Sequence, residues 1–181
     1  INAIREKSRT TQCANNMRQL GMAFSLYSAE NNMQVPNQPS GVVAPGYNAT
    51  YWERLAPYAG YEGEMRASDE AARGTVMHCP NHTEWEGAFS YFANRYLFTP
   101  TDDIRVNAIE EPSDKILFYE VHTRMQWPIA SYYGAGTGKS PFFPAFTHHA
   151  HDGGSNFVFV DGHVEFTDKS LNYQPDHWLP N

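Results

Sequence analysis

The most constraining feature of this chain is a single apolar stripe near its start. In "INAIREKSRTTQCANNMRQLGMAFSLYSAENN", Cys13, Met17, Leu20, Phe24 and Tyr27 recur at spacings of four and three. Residues spaced in this way lie along one side of an α-helix. Residues 2 to 31 therefore read as one helix whose striped side must be buried against another layer. Asn31-Asn32 and Pro36 end it, because Asn tolerates the left-handed conformation past a last turn and Pro cannot continue the hydrogen-bond ladder. The first ten residues carry little of the stripe and are expected to project beyond the globular part.

The partner layer is most evident in "NFVFV-DG-HVEFT", where β-forming residues flank Asp161-Gly162. Asp-Gly is a favoured pair for a two-residue hairpin turn, whose central residues take positive φ. Such a turn sets Val160 opposite His163, Phe159 opposite Val164, Val158 opposite Glu165 and Phe157 opposite Phe166. On that register Phe157, Phe159, Val164 and Phe166 form an apolar face to pack on the helix. Val158, Val160, His163 and Glu165 then face outward. "KILFYEV" (115–121) reads as a strand bounded by Pro112-Ser113, and "TVMHCP" (75–80) as a short strand delivering Cys79. "YWERLAPYAGY" (51–61) reads as a short helix ended by Pro57, with Trp52 and Leu55 facing inward. "AFSYFANRYLF" (88–98) is either a strand or a buried irregular segment. Residues 36–50 and 128–147, rich in Pro and Gly, and the charged stretch 62–74 are expected to be loops. The fold class expected is α+β in a single domain.

The chain has 181 residues, of which 41% are hydrophobic and 14% aromatic, enough to bury a core rather than remain disordered. Thirteen Lys and Arg against twenty Asp and Glu leave a net charge of −7, which argues against a nucleic-acid binder that needs a basic face. No apolar run reaches the roughly 20 residues needed to span a bilayer. The sequence opens without an initiator Met and in mid-pattern, as though a preceding piece had been removed, so a soluble fragment of an anchored protein is expected.

Candidate chemistry centres on "HHAHDGGSNFVFVDGHVEF" (148–166), with its four histidines. His148, His149 and His151 are close enough in sequence to share a zinc or copper ion, and Asp161 and His163 are further candidate ligands. Reach argues against the full set. His151 and Asp161 are separated by about 33 Å of extended chain at roughly 3.3 Å per residue, unless the backbone folds back at Gly153-Gly154. The turn also needs Asp161 for backbone reasons. The favoured reading is a polar loop leading into a core hairpin, with no metal and no cofactor.

"GAGTGKS" (134–140) lacks the glycine spacing and strand-to-helix setting of a phosphate loop. Ser140 and Ser155 lack a nucleophile elbow. Asn48 and Asn81 begin glycosylation-like triplets that are common by chance. Asp102-Asp103 and Glu110-Glu111 read as solvated charge, with calcium the alternative. Two cysteines, Cys13 and Cys79, are too few for a disulfide scaffold or a four-cysteine zinc site. In an oxidising compartment they would form one bridge, restricting the unfolded chain by roughly 4 kcal/mol. In a reducing one they would be two buried thiols. Cys13 lies on the buried stripe, which favours a bridge over an exposed reactive thiol.

Several of these segments, in order, resemble one known family. "AIREKSRTTQCANNMRQLGMAFSLYSAENNMQVP" is similar to the start of the soluble part of type IV pilin-like and type II secretion (general secretion pathway G-like) pseudopilins. It resembles most closely the bacterial prepilin-type proteins named for a His, nine residues, then Asp-Gly. The carriers are Cys13, the run Asn16-Met17-Arg18-Gln19-Leu20-Gly21, Trp52, Leu55, Pro57 and Tyr58, Cys79-Pro80, and finally His151, Asp161 and Gly162. Ala150 stands where an Arg is common, so no role of that Arg carries over. The resemblance implies a pilin-like fold: residues 1–31 as the C-terminal part of a longer helix whose membrane half is absent, and 32–181 as a β-rich head packed on it. It also implies a place in the cell envelope or outside the cell, with the inner membrane as anchor before assembly, and it favours a Cys13–Cys79 disulfide.

The leading functional expectation is a non-enzymatic, pilin-like structural subunit, partnered by other such subunits or secretion components and not by nucleic acid. One alternative is an extracytoplasmic glycan-binding module using Trp127, Tyr132, Tyr133, Phe142 and Phe143 on the 128–150 loop. The other is a metal-dependent hydrolase built on the histidine cluster.

Overall fold

A computed structural model describes residues 2–36, 50–62, 74–81, 90–94, 96–98, 103–120, 151 and 153–168. Helix α1 (Asn2–Glu30) is followed by the short helix α2 (Thr50–Leu55) and a single 3-10 turn at Pro57–Ala59. Four strands then form one antiparallel meander in the order β1 (Tyr91–Ala93), β2 (Ile116–Glu120), β3 (Gly154–Phe159) and β4 (Val164–Asp168). The long helix lies on this sheet, giving the α+β, pilin-like arrangement that the stripe and the hairpin imply. Among the described residues, no helix is long and apolar enough to cross a membrane.

Every residue of the stripe is buried: Cys13, Met17, Leu20, Phe24 and Tyr27. Past Glu30 the backbone takes positive φ at Asn32 and Met33, turning the chain so that Val35 N–H donates to Ile104 O and Val106 N–H to Met33 O. Trp52 and Leu55 face inward as expected. The Trp52 indole stacks on Phe118 of β2 at 5.4 Å, and Phe98 packs against Phe118, Tyr51 and Phe24. These rings fill the space between the C-terminal half of α1 and the sheet.

The β3–β4 hairpin differs from the expected register by one residue. Val158 pairs with Val164, Phe157 with Glu165 and Asn156 with Phe166. The loop has three residues rather than two, because Gly162 at φ 90 donates to Phe159 O while Phe159 N–H donates to His163 O. This is a turn closed by a left-handed glycine that adds one residue to one side of the hairpin. Since strand side chains alternate, a slip of one residue exchanges the faces. Val158, not Phe157, therefore meets the helix, and Phe166 is half-exposed. Phe157 and Phe159 are buried on the opposite face of the sheet. The helix approaches Val158 so closely that a Cβ at Gly21 would come within 3.0 Å of Val158 Cγ2, so a glycine lets α1 settle on the hairpin.

Two further expectations change. Residues 75–80 are not a strand but a turn, with His78 N–H donating to Thr75 O. It is pinned by other elements: Asn16 Nδ2 donates to His78 O, and Cys79 N–H donates to Ser90 Oγ. Nor do the first ten residues simply project. Ile4 is exposed, but Glu6 is half-buried and reaches back onto the sheet side of the helix.

Candidate functional site

The strands place chemistry where β2 ends. Side chains on β2 alternate, so Phe118 and Glu120 share the face that meets α1. Phe118 enters the aromatic stack. Glu120, two residues on, is fully buried. A buried carboxylate is tolerated only when its oxygens are satisfied, and here both are. Glu120 Oε2 accepts from Asn156 N–H at 2.6 Å and from Asn156 Nδ2 at 3.1 Å. Oε1 lies 3.0 Å from His151 Nε2.

His151 is brought there by a sharp reversal just before β3. Its backbone exchanges two hydrogen bonds with Gly154, and Gly153 takes φ 104. Gly154 has no room for a side chain, since a Cβ would collide with the Thr167 backbone. The imidazole is buried, with Nδ1 3.0 Å from Asn81 Nδ2 and 3.5 Å from Glu6 Oε1. Asn81 Nδ2 in turn donates to Glu6 at 2.5 Å. Burial is the largest single influence on the ring and lowers its pKa. The hydrogen bond and charge of Glu120, with the charge and hydrogen bond of Glu6, outweigh it and hold His151 above its ordinary 6.5.

Cys13 of α1 and Cys79 of the pinned turn are joined by a disulfide, Cα to Cα 5.2 Å, and Cys79 Sγ lies 3.8 Å from His151 Nε2. Both cysteines are fully buried. One ligand-capable atom from each of Cys13, Cys79, Glu120 and His151 falls within 4.8 Å of the others. Above this group, Asn16 Nδ2 is 3.4 Å from the Tyr91 hydroxyl. Burial first, then the charge of Glu120, push that hydroxyl well above its usual value against the opposing bond from Asn16, so it stays protonated.

Of the residues singled out from the sequence, Cys13, Cys79 and His151 come together. Asp161 and His163 do not join them. They pair with each other at the hairpin tip, beyond the other end of β3, with Asp161 Oδ1 2.6 Å from His163 Nδ1 and also accepting from His163 N–H. His163 stacks flat on Phe159 at 4.3 Å. His148, His149 and the aromatic loop at 128–150 lie outside the described residues. Glu120 and Glu6 carry no reading from the sequence, while Asn16 enters there only within the resemblance run and Asn81 only as the start of a glycosylation-like triplet. The available signal was an acid ending an otherwise apolar strand in "KILFYE": such a residue is either at an edge or buried with a partner.

The family model described as "Protein of unknown function (DUF1559)" matches residues 2–139. The chain belongs to the DUF1559 family. The DUF1559 match includes α1, both cysteines, Asn81 and Glu120, and it ends before His151 and the hairpin. Comparisons with curated proteins and with solved structures find no match.

Proposed function

We propose that this DUF1559 protein is a non-enzymatic, pilin-like subunit of an envelope or secretion-associated assembly, in which α1 is the joining element and the sheet carries the presented head. The observation that carries this reading is the asymmetry of α1. One side is bonded to the head along its length, by the disulfide at Cys13 and the apolar stripe beyond it. On the other side Ile4, Met22 and Leu26 are exposed, and spacings of 18 and 4 place them along nearly one line. A helix bound to its own head on one side and carrying exposed apolar side chains near both ends of the other is suited to packing against further helices of its kind. The resemblance at Cys13 to Gly21, Trp52 to Tyr58, Cys79-Pro80 and His151 to Gly162 supplies the finer identity, a pseudopilin-like protein held in the inner membrane before assembly. Of the alternatives, the histidine-cluster hydrolase loses Asp161 and His163, which pair with each other at the hairpin tip, and the glycan-binding loop lies outside the described residues.

The test is the fate of the full-length gene product. It should shift in mass when a prepilin peptidase is present and appear in sheared surface filaments. A product that stays uncleaved and never enters the sheared fraction would sink the proposal.

A further inference from the structure

The buried group at the head of the disulfide has a composition that a structural bridge does not need. A bridge needs two sulfurs. Here an imidazole nitrogen and a carboxylate oxygen converge on the same two sulfurs, every member buried, all four atoms within 4.8 Å of one another. A tetrahedral zinc ion, with bonds of about 2.3 Å to sulfur and 2.0–2.1 Å to nitrogen or oxygen, holds its ligands roughly 3.3–3.8 Å apart. The present His151–Glu120 and His151–Cys79 separations of 3.0 and 3.8 Å bracket that range closely.

The outer contacts are those that a metal site requires. Glu120 Oε2 is held by two donors from Asn156, which leaves Oε1 directed at the cluster. With Nε2 of His151 on a metal, Nδ1 must carry the ring proton. Glu6 Oε1 stands 3.5 Å away, and a half-turn of the Asn81 amide would offer its oxygen instead. Metal-bound histidines nearly always present their second nitrogen to such an acceptor, which fixes ring and tautomer. Two sulfurs, one nitrogen and one oxygen form a donor set that suits zinc and disfavours calcium or magnesium.

The disulfide withholds this site, because its sulfurs carry no thiolate charge. A dithiol reductant opens it: the S–S bond breaks, the two sulfurs take up two electrons and two protons, and the reductant is oxidised to its own disulfide. A divalent cation then displaces the two thiol protons into solution, forming two metal–sulfur bonds. Two thiolates and one carboxylate against the cation leave a single buried negative charge. Before oxidation, the metal would hold α1, the 74–81 turn and the sheet in the relation that the disulfide later makes covalent.

We infer that Cys13, Cys79, His151 and Glu120 form a redox-gated metal site, closed while the disulfide stands and binding one zinc-type cation when it is reduced. The inference is independent of the pilin-like reading and does not involve Asp161 or His163.

Protein prepared without a His tag is reduced with dithiothreitol, freed of reductant under anaerobic conditions and titrated with cobalt(II). One equivalent should produce thiolate-to-cobalt charge-transfer bands and intense tetrahedral d–d bands, and one equivalent of zinc should erase them. Oxidised protein should show neither. Glu120→Gln and His151→Gln should each weaken binding at least tenfold, while Asp161→Asn leaves it unchanged. Equal binding by oxidised protein, no bands from reduced protein, or full affinity in Glu120→Gln overturns the inference. If the reduced, metal-free chain loses its far-ultraviolet circular dichroism, stoichiometric zinc should restore it, and failure to do so overturns the inference equally. If either variant does not fold when oxidised, the contrast between the two redox states of the unaltered chain decides.

Discussion

The two halves of α1 meet the same sheet in opposite ways. The C-terminal half presents Leu20, Phe24 and Tyr27 to a stack of rings, with Trp52 over Phe118 at its centre. The N-terminal half presents Cys13, Asn16 and Glu6 to a polar knot of Cys79, Asn81, Glu120 and His151. The divide runs along one face of β2, where Phe118 belongs to the stack and Glu120, two residues later, to the knot. Ring packing is strong but tolerant of direction, since apolar area counts however it is covered. Hydrogen bonds, an ion pair and a covalent bridge are directional, so they select one placement of the helix among those that the stack alone would allow. The stack supplies stability and the knot supplies position.

Substitutions can break the contrast. The largest effect is expected for Trp52→Ala, which empties the centre of the stack and should cost about 3–5 kcal/mol in chemical denaturation. Next, replacing both cysteines by Ala should cost roughly 4 kcal/mol from the released loop, which spans a sequence separation of 66. The residual fold should then show wider amide chemical-shift changes around Glu6 and Asn81 than Trp52→Ala causes there. A cysteine-free chain whose helix resonances near Glu6 are unmoved would refute the positional role of the knot. Glu120→Gln comes third, at about 1.5–3 kcal/mol, because it weakens hydrogen bonds that a charge had strengthened. A double substitution of Glu120 and His151 should cost less than the sum of the two singles, whereas Trp52→Ala and Glu120→Gln should add.

The smallest effect is a dependence of stability on pH. His151 binds its proton more tightly folded than unfolded, so the native state holds more protons between 6.5 and its raised value. The stabilisation is complete below 6.5 and is lost as pH rises through the folded value. Stability should therefore fall across that window. In His151→Gln this component of the slope should vanish, and an undiminished slope would show that another group is responsible.

The stack was legible in the sequence and the knot mostly was not. A stripe at helical spacing names its own buried side, and Trp52 and Leu55 follow the same rule over a shorter span. The knot depends on side chains from four separated segments, and apart from Cys13 on the stripe none of its members carries a periodic signal. Cys13, Cys79 and His151 stand out as candidate chemistry in the sequence, but beyond the inward side of Cys13 it carries no geometry that joins them. Glu120 was hidden because a strand reading attends to the apolar residues of "KILFYE" and passes over the acid that ends them. The hairpin was half legible. Its existence followed from Asp161-Gly162, but Gly162 takes positive φ and Asp161 does not, so the loop has three residues instead of the two-residue turn and the faces exchange. The reading of 75–80 as a strand failed because contacts from Asn16 and Ser90, remote in sequence, override local preference there.

The flat stack of His163 on Phe159 gives the hairpin a built-in reporter. An imidazole lying 4.3 Å above a benzene ring sits in that ring's shielding cone, so its carbon-bound protons resonate upfield of a solvent-exposed histidine. Were the strands to slide to the two-residue turn, His163 would move opposite Val160 and the shielding would disappear. At a fixed pH, the position of one proton line would thus tell which face of β4 is turned toward the helix.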